Sequence, residues 1–206
     1  MQLNNDGVDS ALSALGEYLE YLSSEPIEIV VCGGSALQAL GLVTRVTRDV
    51  DVLALVQGTL NGTLNLISSD PLPDVMMKSA AFVARDLMLP DNWFNSGPAD
   101  LVDHGLPEGI TNRFHTRRYG AKLTVHFIGR LDQICFKTYA SVCDGEGSRH
   151  MADLLSLMPT DEEMLFAASW CLTQDASDSF PQFFNSFLVK AGFQHAAERL
   201  DTKNEE

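Results

Sequence analysis

The hydrophobic rhythm of this chain changes at about residue 128, and the change limits what it can fold into. Upstream, short β-rich apolar runs alternate with helical stretches and with breaks that carry Gly or Pro. Downstream, apolar residues recur at helical spacing with little interruption. Short strands must share a sheet to pair their backbone groups, whereas helices bury their apolar stripes against one another. The expected fold is therefore α+β. A small mixed β-sheet core flanked by helices occupies 1–128, and a C-terminal helical lobe packed on that core occupies 129–206. With 206 residues, 45% of them hydrophobic, the chain can bury a sizeable core without staples.

Val8, Leu12, Leu15, Leu19 and Leu22 stand at helical spacing and predict a first helix over 8–22. Ile27 to Cys32 reads as a short buried strand, Gly33-Gly34 as a turn, and Ser35 as the opening of a helix from Ala36 to Leu40 that Gly41 closes. Val50 to Val56 reads as a second buried strand, and 59–69 and 74–89 as helices separated by Pro71 and Pro73. The Pro-, Gly-, Asn- and Asp-rich stretch 90–110 reads as a long ordered loop, because Trp93, Phe94, Leu101 and Leu106 need burial. A hairpin is expected from 111–118 and 122–128 around Tyr119-Gly120. Helices follow over 131–143, 149–157, 161–173 and 181–199, the third with Thr160 as its cap and Asp161-Glu162-Glu163 in its first turn.

The chemistry concentrates in one segment: Gly33-Gly34-Ser35, thirteen residues, then Asp49-Val50-Asp51. Two glycines let the backbone approach a ligand without a Cβ clash. Ser35 is expected at a helix start, where free N–H groups and the helix dipole favour phosphate. Asp49 and Asp51, read as i and i+2 of one strand, would point to one face. Adjacent carboxylates repel, and a divalent cation relieves the repulsion. Mg²⁺, or Mn²⁺, suits carboxylate and phosphate oxygens together and can align the phosphates of a nucleoside triphosphate. Arg45, Thr47 and Arg48 lie in the intervening turn, where they either touch phosphate or hold and balance the acids. Lys137 sits among Ile134, Phe136, Tyr139 and Ala140, an apolar setting in which its ammonium either snorkels to solvent or meets phosphate. Asp153 either accepts from Lys137 or points to solvent, and His150 either joins them or caps its helix.

The stretch CGGSALQALGLVTRVTRDVDVLAL resembles the polymerase-beta-like nucleotidyltransferase superfamily. That superfamily's signature is a Gly-Gly or Gly-Ser turn, a helix, then Asp-x-Asp on the next strand. The Arg-x-Thr-x-Asp-x-Asp run looks most like the AbiEii/AbiGii-toxin-like branch, and the resemblance extends over roughly 28–160. It implies a metal-dependent nucleotidyltransferase in which Asp49 and Asp51 hold the metal. Gly33, Gly34, Ser35, Arg45, Thr47, Arg48, Lys137, His150 and Asp153 would line the nucleotide. A toxin with a protein antitoxin is one setting the branch implies. The acceptor is left open among a small molecule (a sugar or an antibiotic included), a protein side chain and an RNA 3′ end. Many members of the superfamily carry a third carboxylate on a later strand. The matching strand here, Lys122 to Ile128, has no acid, and His126 takes the slot. His126 is either a general base or a buried structural histidine. The alternative function is a nucleotide- or partner-binding protein with a degenerate site.

Net charge narrows the partners. The chain carries −14, which disfavours binding of bulk polyanions. Yet residues 111–149 hold seven of the fourteen basic residues against three acids, a net of +4 that leaves −18 for the rest. Such an island suits a phosphate-bearing ligand, or is simply an uneven solvated surface. The four cysteines show no zinc spacing and read as reduced, mostly buried thiols. A polar, acidic start and the lack of an apolar run of about 18 residues lead to the expectation of a cytoplasmic protein that does not enter a membrane.

Overall fold

A computed structural model of the chain describes residues 5–22, 25–145, 147–175 and 177–204. The elements run α1 (Asn5–Leu22), β1 (Ile27–Cys32), α2 (Gly33–Ala39), β2 (Val50–Leu60), β3 (Thr63–Ser68), α3 (Asp74–Leu87), β4 (Phe94–Asn95) and α4 (Leu101–His104). A 3₁₀ turn at Ile110–Arg113 leads to β5 (His115–Tyr119), β6 (Leu123–Phe127) and five helices. These are α5 (Arg130–Asp144), α6 (Arg149–Ser156), α7 (Asp161–Cys171), α8 (Phe180–Lys190) and α9 (Gln194–Asn204). The fold is α+β, with a mixed six-stranded sheet and a helical C-terminal part. Among the described residues no helix is long and apolar enough to cross a membrane.

The chain divides into two units. One contains the residues up to Asp103 together with Gly109–Gly129; the other contains His104–Glu108 and the residues from Arg130 onward. The expected boundary at 128 is close to the one observed, but 104–108 belongs with the helices. The side chains of Trp170 and Gln174 both donate to the carbonyl of Gly105, at 2.9 and 3.1 Å, and hold it there.

In the first unit the strand order is β3-β2-β1-β6-β5, with β4 added beside β2. β1 pairs antiparallel with β2 and parallel with β6, and β5 closes an antiparallel hairpin on β6. Alternation along these strands puts Ile29, Val31, Val50, Val52, Val125 and Phe127 into the main core with Leu12, Leu15 and Leu19 of α1 and Met76 and Val83 of α3. Each such buried aliphatic side chain contributes about 1.5–3 kcal/mol relative to exposure. The opposite face of the same strands carries Glu28, Cys32, Asp51 and His126 by the same alternation and register.

Three local readings are corrected. Residues 59–69 are not a helix: β2 runs to Leu60 and turns through Asn61 (φ 52°) and Gly62 (φ 82°) into β3. Both turn residues have positive φ, as a two-residue hairpin turn of the primed type requires. The stretch 90–110 is not one loop but contains β4 and α4. It is anchored as expected by fully buried Trp93 and Phe94, whereas Leu101 and Leu106 are only half-buried. The helix expected over 181–199 breaks at Gly192 (φ 90°), giving α8 and α9.

In the second unit α5 packs against α6 and α7, and α9 against α7 and α8. Phe136 stacks on Trp170 with ring centroids 5.3 Å apart. The Thr160 cap is a full capping box, its hydroxyl accepting from the Glu163 amide while Glu163 accepts from the Thr160 amide. Cys32, Cys135 and Cys171 are buried and Cys143 is exposed.

Candidate functional site

β1 ends at Cys32 and the chain reverses at once through Gly33, whose φ of 71° lies in the left-handed region open to glycine. A Cβ at Gly33 would collide with Oδ2 of Asp51, so only glycine lets the backbone pass this close to that carboxylate. Gly34 answers a second close approach: a Cβ there would sit 2.7 Å from the Thr47 hydroxyl and 3.3 Å from Nη2 of Arg45. The Thr47 hydroxyl in turn donates to Oδ1 of Asp49 at 3.1 Å. The Gly-Gly turn, Arg45, Thr47, Asp49 and Asp51 are therefore brought together.

Two details differ from the expectation. β2 begins at Val50, so Asp49 precedes the strand and strand alternation does not align it with Asp51. Asp49 is held instead by Thr47, which is itself buried. Ser35 does not open the helix, because the turn is completed at Gly33 and α2 starts there. The Ser35 side chain is fully buried and its hydroxyl donates back to the Cys32 carbonyl at 3.3 Å. Arg45 is half-buried, with Nη1 donating to the Val46 carbonyl at 3.3 Å, and Arg48 is exposed.

A residue absent from the sequence reading completes the surroundings of Asp51. β4 pairs parallel with β2 so that Asn95 faces Asp51, while Cys32 pairs with Asp51 from the other side. The Asn95 amide donates to Oδ1 of Asp51 at 3.1 Å. The one hint in the sequence was the aromatic pair Trp93-Phe94, whose burial pins the residue that follows.

His126 lies on the same sheet face as Asp51, as strand alternation predicted, but not beside it. Its register partner is Val30 of β1, two strands and two residues from Asp51, about 12 Å by ordinary sheet spacing. Its ring is buried between Thr116, 2.8 Å from Nδ1, and Glu28, 3.1 Å from Nε2. Neither partner was singled out in the sequence.

Lys137, His150 and Asp153 meet within the helical unit. Nζ of Lys137 lies 2.9 Å from Oδ2 of Asp153, with the two side chains only 5% and 3% exposed. Nδ1 of His150 is 3.3 Å from the same ammonium, and its Nε2 is 3.4 Å from Asp144. Burial, and then the charge of Lys137, hold the His150 imidazole below its ordinary pKa. Of the two readings of Asp153, acceptance from Lys137 is the one observed. The basic island is partly committed to such internal pairs. Arg117 bonds both oxygens of Asp9, and Arg130 pairs with Glu163 and donates to the Leu157 and Met158 carbonyls.

Asp49 and Asp51 are the residues suited to hold a divalent cation. Among the described residues no group of three or more His, Cys, Asp or Glu side chains is arranged to hold a metal. Both carboxylates are half-buried near the Gly33-Gly34 turn, and oxygen donors of this kind suit a hard cation. No protein-family model matches the chain, nor does any curated protein or solved structure.

Proposed function

We propose that the chain is a metal-dependent nucleotidyltransferase that moves a nucleotidyl group from a nucleoside triphosphate to an acceptor. The observation that carries this reading is the approach of Gly33 to Asp51 and of Gly34 to Thr47, whose hydroxyl bonds Asp49. Two carboxylates close to the turn supply the charge that a cation carrying a triphosphate needs. Mg²⁺ or Mn²⁺ bound by Asp49 and Asp51 would supply neutralisation of phosphate charge. The chain's own part is positional. Gly33 and Gly34 let Asp51 and Thr47 come close to the turn, Thr47 orients Asp49, and Arg45 brings a cation there. In the transfer the acceptor hydroxyl gives up its proton to solvent and its oxygen bonds to the α-phosphorus, the bond from that phosphorus to its bridging oxygen breaks, and pyrophosphate leaves.

By resemblance, a cytoplasmic toxin with an antitoxin partner is the setting. The net charge of −14 weighs against an RNA acceptor. A second reading, a nucleotide-binding protein without turnover, is favoured by Asn95. The side chain beside Asp51 is an amide rather than a third acid, and His126 is engaged by Thr116 and Glu28. One experiment addresses both. Affinity for each triphosphate is measured with and without Mg²⁺, alongside transfer of α-labelled nucleotide to the protein itself, to RNA and to a small-molecule extract. We expect Mg²⁺-dependent binding that Asp51→Asn abolishes without lowering the melting temperature. Unchanged Mg²⁺-dependent affinity in that variant overturns the site. Binding without transfer selects the second reading.

A further inference from the structure

We infer that Asn95 is a positioning residue for the metal-binding carboxylate, one that holds Asp51 in its orientation. The inference rests on the metal-site reading above. It begins with how firmly Asn95 is held. Trp93 is fully buried and its indole N–H donates to the Ala80 carbonyl at 2.9 Å. Its carbonyl accepts from the Val50 amide, so β4 is pinned to the start of β2. Phe94, also buried, points into the core, and alternation puts Asn95 on the face of Asp51.

The orientation of the amide follows from its second bond. Oδ1 of Asn95 accepts the Gly97 backbone N–H at 2.8 Å. An asparagine oxygen accepts and its nitrogen donates, so with Oδ1 occupied it is Nδ2 that meets Asp51. It donates to Oδ1 of Asp51 at 3.1 Å, while Oδ2 of the same carboxylate faces Gly33. The two oxygens are thus distinguished. The Asn95 amide donates to one, and the other lies against the turn at Gly33. Asn95 does for Asp51 what Thr47 does for Asp49, and both acids are presented by a neutral hydrogen-bonding neighbour. Losing a hydrogen bond that orients a ligating group typically costs about 10–100-fold in metal affinity.

The experiment measures Mn²⁺ binding to the full chain by electron paramagnetic resonance, without nucleotide, together with thermal melting. Asn95→Ala removes the donor and is expected to weaken Mn²⁺ affinity by about 10–100-fold. Asn95→Asp keeps the size of the side chain and an acceptor for Gly97. It exchanges the donor for a third carboxylate, and it is expected to bind Mn²⁺ at least about tenfold more tightly than wild type. An asparagine that only stabilises its loop would leave Mn²⁺ affinity unchanged in a folded Asn95→Ala protein. If wild type binds Mn²⁺ and Asp51→Asn loses it, but both Asn95 variants bind like wild type, the role of Asn95 is overturned and the metal site stands. If wild type and Asp51→Asn bind equally poorly, the metal-site reading falls and this inference with it. Should Asn95→Ala fail to fold by its melting curve, Asn95→Asp alone decides: unchanged affinity there overturns the assignment.

Discussion

Replacing Lys137 by Met removes one charge of a buried pair while keeping most of the side chain's apolar stem. Asp153 would then be left 3% exposed with its nearest cationic partner gone, and His150 would lose the ammonium beside Nδ1. Breaking a buried ion pair from one side costs about 3–5 kcal/mol, because the surviving charge stays desolvated. At about 2–4 °C per kcal/mol for a chain of this size, the melting temperature should fall by about 6–20 °C. The loss should localise: hydrogen exchange of the α5 and α6 amides, which carry the pair, should accelerate more than that of β1 and β6. Adding Asp153→Leu to Lys137→Met removes the stranded carboxylate and should restore most of the loss, since well-packed apolar replacements of buried pairs are often neutral. The assay is urea unfolding followed by far-ultraviolet circular dichroism in the two single variants and the double variant. A Lys137→Met protein within about 0.5 kcal/mol of wild type, the range of an ordinary surface substitution, would refute the reasoning. It would mean that the ammonium is not stabilised chiefly by Asp153.

Gly33→Ala should cost about 1–2 kcal/mol for a side chain in the left-handed region and should displace Asp51, cutting Mn²⁺ affinity by about 10–100-fold. Gly41→Ala is the control: its φ of 68° imposes a similar strain, but an added Cβ meets nothing, so its Mn²⁺ affinity should match wild type. His150 yields a pH dependence. Its folded-state pKa lies below the ordinary 6.5, so as pH falls through 6.5 the unfolded chain takes up this proton first and stability declines. His150→Asn should lose less stability across that window, as read from unfolding curves at a series of pH values, and an identical pH slope in the two proteins would refute the assignment.

Much of the fold was legible because the signals were local. The spacing of Val8, Leu12, Leu15 and Leu19 defines the buried face of α1, and Thr160 with Glu163 forms the capping box of α7 within four residues. Residues 59–69 misled for an equally local reason. Leu60, Leu64 and Ile67 stand at helical spacing, although Asn61-Gly62 among them is the turn between two strands. Periodicity in a short apolar run cannot separate the two when the strands are largely solvated, as the end of β2 is.

The candidate site divides in the same way. Gly33, Gly34, Thr47, Asp49 and Asp51 lie within nineteen residues, and the need for a tight turn beside paired acids brings them into one reading of the sequence. Their holding contacts did not follow from it, since Asp49 lies outside the strand that was expected to aim it. The partners that only the tertiary structure decided are distant in sequence: Asn95 is 44 residues from Asp51, and Glu28 is 98 from His126. Polar side chains at such separations meet because strand pairing sets their register, and register is chosen by the apolar face. Ile29, Val31, Val50, Val52, Val125 and Phe127 must all face the core, and that requirement delivers Asn95 to Asp51 and Glu28 to His126 on the other side of the sheet.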